Sequence, residues 1–408
     1  MKAGPKRFLE NAALAAASLL LSLTAALGLL YALCAVLGAD GRPFYDNALG
    51  KRLWVSDPAC GYRNRPFVNE KLFGGVRVRT NAEGFRSEAD VPERAPAGRL
   101  RVVGMGDSVT WGVGVNEEDT FLAELQRGLA AAGRDAEVVN AAVVGFSTFQ
   151  EYAFLQNLAA KFRPDVVLVN FCPNDWFPTE NPFGNLAGIY AEYFRFLGRD
   201  LPRLDLSGPA RDVALFLSGK SGVDRMARRM KEDPAYYHAA LRALLAVPMA
   251  GMERCARYYG IRLIYLVIPV REDRKRSSTH EAAIAIMKAE GIEYIDLFDD
   301  LLETSPECGG LPPFETSPVA RAVKGLDSAL GISSFGFYRA FQRLAMLKGL
   351  NATQKTCNYL DDHGHLSRRG HRIAARAVLR RLGGDGLLIP SCIQREKIRG
   401  GKGEGNLL

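Results

Sequence analysis

The sequence has no closely spaced cysteine pair, no block of like charge and no internal repeat. Cys60, Cys172, Cys255, Cys308, Cys357 and Cys392 stand far apart, and the seventh cysteine, Cys34, lies in an apolar run. That spacing argues against cysteine-ligated zinc, which needs ligands in close pairs. A formal charge of +8 comes from 53 basic and 45 acidic residues scattered along the chain. Without a basic stripe the electrostatic footprint of a nucleic-acid binder is missing. With 48% hydrophobic and 24% charged residues over 408 positions, the chain can bury a large core and is not a disordered polymer.

A second absence is local: no charged residue occurs from Asn11 to Gly38. The stretch is dominated by Leu and Ala, and at ~1.5 Å per residue a helix there exceeds the ~30 Å hydrocarbon thickness of a bilayer. Residues 11–38 are therefore expected to form a transmembrane anchor. Lys2, Lys6 and Arg7 precede it, so residues 1–10 are expected in the cytoplasm and the remainder outside it, in a periplasmic or cell-surface location, although Arg42, Lys51 and Arg52 weaken the asymmetry. A cleaved signal peptide is the rival, with an apolar core of only ~7–15 residues. Outside the cytoplasm a disulfide is permitted. Cys308 with Cys357, both in loop-rich sequence, is the candidate pair.

Residues 39–98 read as a linker and flanking segment, punctuated by Pro, Gly and Asn, with one short alternation at Val76, Val78 and Thr80. From residue 99 strands and helices alternate. Leu100–Met105, Glu137–Val144, Val166–Phe171, Ile261–Ile268 and Ile292–Leu297 read as strands. Helices are expected with Phe121, Leu122, Leu125 and Leu129 on one face, from a Thr148/Glu151 capping box to Pro164, over Glu281–Glu290, and from a Ser367 cap to Leu382. Five strands separated by helices predict an α/β fold with a parallel sheet covered on both faces, over residues 99–390. Insertions are expected at about 176–252, rich in aromatics, and 304–357, rich in Pro, Gly and Ser, with a mobile tail over 391–408.

In open parallel sheets reactive groups collect at the carboxyl ends of strands. Gly106-Asp107-Ser108, Gly145 and Asn174-Asp175 follow the first three strands, and Asp362-His363-Gly364-His365 precedes the last helix. A serine hydroxyl needs an imidazole within ~2.6–3.2 Å to take its proton, and His365 is the candidate base. Asp362, three residues earlier, can reach the other ring nitrogen and fix the tautomer. The amides of Ser108 and Gly145 and the side-chain amide of Asn174 are candidate donors to a tetrahedral oxyanion. Asp107 and Asp175 are expected to brace loops. His363 and His365 could ligate a metal with Asp361 or Asp362, but no further ligand cluster accompanies them, so neither metal nor cofactor is expected.

These blocks resemble the SGNH/GDSL hydrolase family: Gly106-Asp107-Ser108-Val109-Thr110, Gly145, Asn174-Asp175, and Asp362-x-x-His365 followed by Leu366-Ser367. The resemblance covers roughly residues 99–175 and 255–383. It implies a flavodoxin-like three-layer fold, Ser108 as nucleophile, and Gly145 and Asn174 in the oxyanion hole. Membrane-anchored members are similar in carrying a segment like Asn81-Ala82-Glu83-Gly84-Phe85-Arg86 before the first strand. One departure is Cys172, where the family commonly has Gly two residues before the block-three Asn. The expected activity is hydrolysis of an ester, an O-acyl group on an envelope carbohydrate or lipid, through an acyl-enzyme. The alternatives are an O-acyltransferase acting on cell-surface polysaccharide and a non-catalytic carbohydrate-binding protein on the same fold. No nucleic-acid partner is expected, and the sequence leaves the oligomeric state open.

Overall fold

The computed structural model of the chain describes residues 52–72, 76–176, 232–270, 275–302, 357–359 and 364–384, with single positions at 14, 18, 21, 22, 24, 25, 28, 29, 189 and 229. Two compact units divide the chain, one of Met1–Asp46 with Gly309–Ala352, the other of Asn47–Cys308 with Thr353–Leu408. Nearly all described residues belong to the second. Among the described residues no helix is long and apolar enough to cross a membrane. Most of 11–38 lies outside them, as do 303–356, the tail and most of 177–231.

The core is a five-stranded parallel sheet of β5 (Leu100–Met105), β6 (Ala136–Asn140), β7 (Val166–Phe171), β8 (Arg262–Val267) and β9 (Glu293–Asp296), in the order β6-β5-β7-β8-β9. In chain order within the sheet that is 2-1-3-4-5, the flavodoxin-like arrangement. β7 is buried at every position, as expected of a central strand covered on both faces. Period-two alternation sends its residues to two separate cores. Val167, Val169 and Phe171 pack with Leu155, Leu158 and Phe162 of α3 (Thr148–Phe162), Met249 and Met252 of α5 (Val247–Tyr259), and Met287 of α6 (Ser278–Ala289). Val166 and Leu168 face the other way, toward Phe121, Leu125 and Leu129 of α2 (Phe121–Ala131) and Ala374, Val378 and Leu382 of α8 (Arg368–Gly384). The result is three layers. Short α1 (Ser108–Trp111) and α7 (Phe298–Leu301) follow β5 and β9, and α4 (Pro234–Leu241) runs into α5 through a π-helical turn at Arg242–Ala246.

Two expectations shift at their ends. The second sheet strand stops at Asn140 rather than Val144: residues 141–144 form a loop with Val143 and Val144 buried, tied to the first strand's end through the Ala141 and Val143 amides. The capping box of α3 is Ser147 with Gln150, one residue earlier than Thr148 with Glu151. The segment read as a linker contains two antiparallel hairpins, β1 (Trp54–Asp57) with β2 (Gly61–Asn64) and β3 (Asn69–Leu72) with β4 (Val76–Arg79). Cys60, Cys172 and Cys255 are free thiols. Cys357 is disulfide-bonded, and Cys308 lies outside the described residues.

Candidate active site

Ser108 opens α1 at the carboxyl end of β5, and local chemistry fixes it there. Gly106 has φ +144, and a Cβ at that position would meet Asn170 Oδ1 at 1.8 Å, so only glycine lets the chain turn this sharply. Asp107 caps the helix: its Oδ1 accepts from the Val109 amide at 2.8 Å and from Asn170 Nδ2 at 3.2 Å. Thr110 Oγ1 donates to Asn170 Oδ1, so the buried Asn170 of β7 ties both sides of the nucleophile turn.

His365 arrives from the far end of the sequence. Its Nε2 lies 2.9 Å from Ser108 Oγ, and both side chains are only 6% exposed, so the contact is shielded from water. The loop that carries it is held at its stem. Tyr359 and Leu366 form a β-bridge, Ser367 N–H donates to Asn358 O at 2.9 Å, and Tyr359 Oη donates to Pro269 O at 3.0 Å beyond β8. Ser367 Oγ accepts from the amides of Arg369 and Gly370 and so caps α8 as the sequence suggested. Asp362 lies outside the described residues, as do Asp361 and His363.

Gly145 sits in the turn Val143–Phe146 with φ +81, and Phe146 N–H donates to Val143 O at 3.2 Å. Among the described residues none accepts from the amides of Ser108 or Gly145. Asn174 is exposed at the end of β7, its Oδ1 2.8 Å from the Sγ of Cys172. The same sulfur lies 3.4 Å from Asp107 Oδ2 and 3.6 Å from Asp175 Oδ1, so three acceptors surround the one thiol proton. Burial, then the neighbouring Asp107 charge, pushes the Cys172 thiol well up, so it remains a protonated donor.

Beneath these groups lies an acidic cluster. Asp175 Oδ2 accepts from the Cys172 amide at 2.7 Å, which is the loop-bracing role expected of it. Glu151 is 1% exposed, and among the described residues neither carboxylate oxygen has a hydrogen-bond partner. Burial and the charge of Asp107 raise both the Glu151 and Asp175 carboxyls well above the ordinary range. Asp107, Cys172 and Asp175 are the one group among the described residues whose donor atoms come close enough to share a metal, within 4.8 Å of one another. The oxygens of Asp107 and Asp175 already accept hydrogen bonds from Val109 and Cys172, which fits braces rather than ligands.

Two further histidines among the described residues have other duties. Burial, with the charges of Arg86 and His365, lowers His371 to about 3, so its neutral ring accepts the Phe121 amide at 3.1 Å and joins α8 to α2. His280 pairs with Asp296 at 3.1 Å, a partner that no sequence spacing revealed.

Residues 105–310 match the GDSL-like lipase/acylhydrolase family. The chain belongs to that family. As a GDSL-like acylhydrolase it is a serine ester hydrolase, and the matched span contains Ser108, Gly145 and Asn174 but ends before His365. No curated protein matches the chain. Among solved structures it is similar to the lipase/acylhydrolase from Enterococcus faecalis, at 14% identity over 70% of this chain and 96% of that one, with a TM-score of 0.33. It is also similar to TesA, at 18% identity over 61% of this chain and 95% of that one, TM-score 0.31. A third is a mutant of Axe2, an acetyl-xylooligosaccharide esterase from Geobacillus stearmophilus, at 14% identity over 70% and 94%, TM-score 0.34.

Sequence reasoning missed the groups that hold this GDSL site together. Arg86 is fully buried, stacks 4.1 Å over the Trp111 ring, and donates to the carbonyls of Trp111, Gly112 and Val115, closing the carboxyl end of α1. Burial lowers it to about 10, still a cation at neutral pH. Asn140 Nδ2 reaches the Thr110 and Trp111 carbonyls at 3.3 Å. The available signal was the Asn81-Ala82-Glu83-Gly84-Phe85-Arg86 segment, noted above for its resemblance alone and with no role given to Arg86.

Proposed function

We propose that this hydrolase removes an O-acyl group from an envelope carbohydrate or a lipid, using Ser108 as nucleophile, His365 as general base and Asp362 to orient the imidazole. The observation that carries the reading is the 2.9 Å contact between His365 Nε2 and Ser108 Oγ in a water-shielded setting. As Ser108 Oγ attacks the ester carbonyl, His365 takes its proton and then gives it to the departing alkoxide. Water, deprotonated by His365, attacks the acyl-enzyme, and the carboxylic acid leaves as Ser108 regains its proton. The amides of Ser108 and Gly145 and the Asn174 NH2 group stabilise the oxyanion in both steps, each donor being worth ~10²–10³ in rate.

The substrate class rests on location. Support for an anchor comes from the uncharged run at Asn11–Gly38 and from the helical conformation of its described positions, where Leu14, Leu21 and Leu29 are exposed. A disulfide at Cys357 fits an oxidising compartment beyond the cytoplasm. An anchored site of this kind acts on material at the membrane surface.

Ser108→Ala is the test. Turnover of a short-chain aryl ester is expected to fall by at least ~10⁴-fold. Wild-type rates in the variant would remove Ser108 from the reaction.

A further inference from the structure

The β1–β2 hairpin lies outside the sheet, yet its side chains reach the loop that carries Gly145. Tyr62 Oη donates to Val144 O at 3.3 Å, and Asn64 Nδ2 donates to Ala142 O at 2.9 Å. Residues two apart on a strand share a face, so one side of β2 meets alternate carbonyls of the loop. Tyr62 is wholly buried, its ring 5.0 Å from Trp54 and 5.5 Å edge-on to Phe146, which holds the side chain over the loop. Gln150 Nε2 fastens the hairpin from the other side, donating to Cys60 O at 2.9 Å.

The loop's opposite edge follows β5. Ala141 N–H donates to Gly104 O and Val143 N–H to Gly106 O, both at 2.9 Å. A further step of two along each chain leads to Gly145 and Ser108. In a trans peptide the C=O and N–H point in opposite directions. The Val144 carbonyl that Tyr62 holds and the Gly145 N–H belong to one peptide unit, so fixing the first toward the hairpin aims the second toward the nucleophile.

This peptide is also the one most free to flip. It is the central unit of the 143–146 turn, and type I and type II turns differ by rotation of that unit. The φ of +81 at Gly145 is the value a type II turn requires at its third residue, and glycine tolerates the alternative equally well. Nothing in the glycine itself selects the conformer.

We propose that Tyr62 is a positioning residue for the oxyanion hole: its hydroxyl locks the Val144–Gly145 peptide in the orientation that presents the Gly145 amide to the reacting carbonyl. The inference rests on the Ser108 mechanism proposed above and adds a specific dependence of transition-state binding on a residue outside the sheet.

Tyr62→Phe removes one oxygen and keeps the ring. With a short-chain aryl ester, kcat is expected to fall roughly tenfold, part of the ~10²–10³ that a whole donor contributes, with KM within about twofold. The inhibition constant of an arylboronic acid, whose tetrahedral adduct places an oxygen in the same hole, should rise by a similar factor. Asn64→Ala serves as the control, since it frees the Ala142 carbonyl without releasing the 144–145 peptide; it should lower the melting temperature while kcat changes less than in Tyr62→Phe. The inference is overturned if Tyr62→Phe keeps kcat within twofold while Ser108→Ala is inactive. It is equally overturned if both hairpin variants lose activity in proportion to their loss of stability, the mark of a merely structural part. Activity surviving in Ser108→Ala would instead overturn the mechanism on which the inference stands.

Discussion

Among the described residues Glu151 is a buried carboxyl with neither a cation nor a hydrogen bond beside it, and its energetics follow from that. Burial, reinforced by the charge of Asp107, raises its carboxyl well above the ordinary value of 4.5. The folded state therefore holds a proton that the unfolded chain releases. Stability is greatest below the unfolded value and declines as pH rises toward the folded one, by about 1.4 kcal/mol per pH unit for one such group. Glu151→Gln keeps the shape and removes the titration. The variant is expected to match wild type near pH 4 and to be the more stable at pH 8, as read from denaturant unfolding at the two pH values. Parallel pH profiles would show that Glu151 is already neutralised by another group. The residue also shows where a sequence reading slips. Ser147, Thr148, Gln150 and Glu151 satisfy the capping pattern in two registers, and a one-residue shift turns Glu151 from a cap into a buried acid. Ser108 and His365 could be singled out because the blocks that carry them stand in the order the SGNH/GDSL resemblance implies; their chemistry fixes only the geometry, which brings the two side chains to 2.9 Å. Tyr62 was not, because a side chain acting over 82 residues of separation leaves no local pattern.

Among elements, the five sheet strands were the easiest to read, since a short β-branched-rich run such as Val166–Phe171, bounded by Pro164 and Pro173, is what a strand buried on both faces requires. The hairpins were hard to read because Trp54–Asp57 and Gly61–Asn64 are four residues each and mix polar with apolar. The most exacting junction is the one between the His365 loop and α8. A Cβ on Gly370 would lie 2.1 Å from the backbone oxygen of Asn358, at the stem that also receives Ser367. Backbone cannot retreat as a side-chain tip can. Gly370→Ala is expected to push the stem away from the helix, costing about 1–3 kcal/mol as overpacking does. It should also lower kcat at least tenfold, because His365 lies within this strap and a displacement of ~1 Å can cost ~10²-fold. A melting curve and a kcat measurement decide it: a stable variant at full rate would mean the stem relaxes without moving the imidazole.

For the whole molecule, the decisive question is whether the uncharged run ties the α/β hydrolase domain to a membrane. The uncharged run at Asn11–Gly38 is long enough to span a bilayer, and three of its leucines are exposed. If the run spans, its stability in the membrane depends on apolar character near its midpoint, where an arginine costs ~2.5–3.5 kcal/mol. Wild type is expected in the membrane pellet after alkaline carbonate washing. Leu21→Arg combined with Ala25→Arg should move most of the protein to the soluble fraction. Hydrolysis of a small soluble ester should continue there at an unchanged kcat, because Ser108 and His365 belong to the other compact unit. Activity on membrane-bound acylated material should fall in the same variant, since the enzyme would have lost its enforced proximity. A wild-type chain recovered wholly in the wash would leave the run as something other than an anchor, and with it would go the argument that the substrate is an envelope molecule.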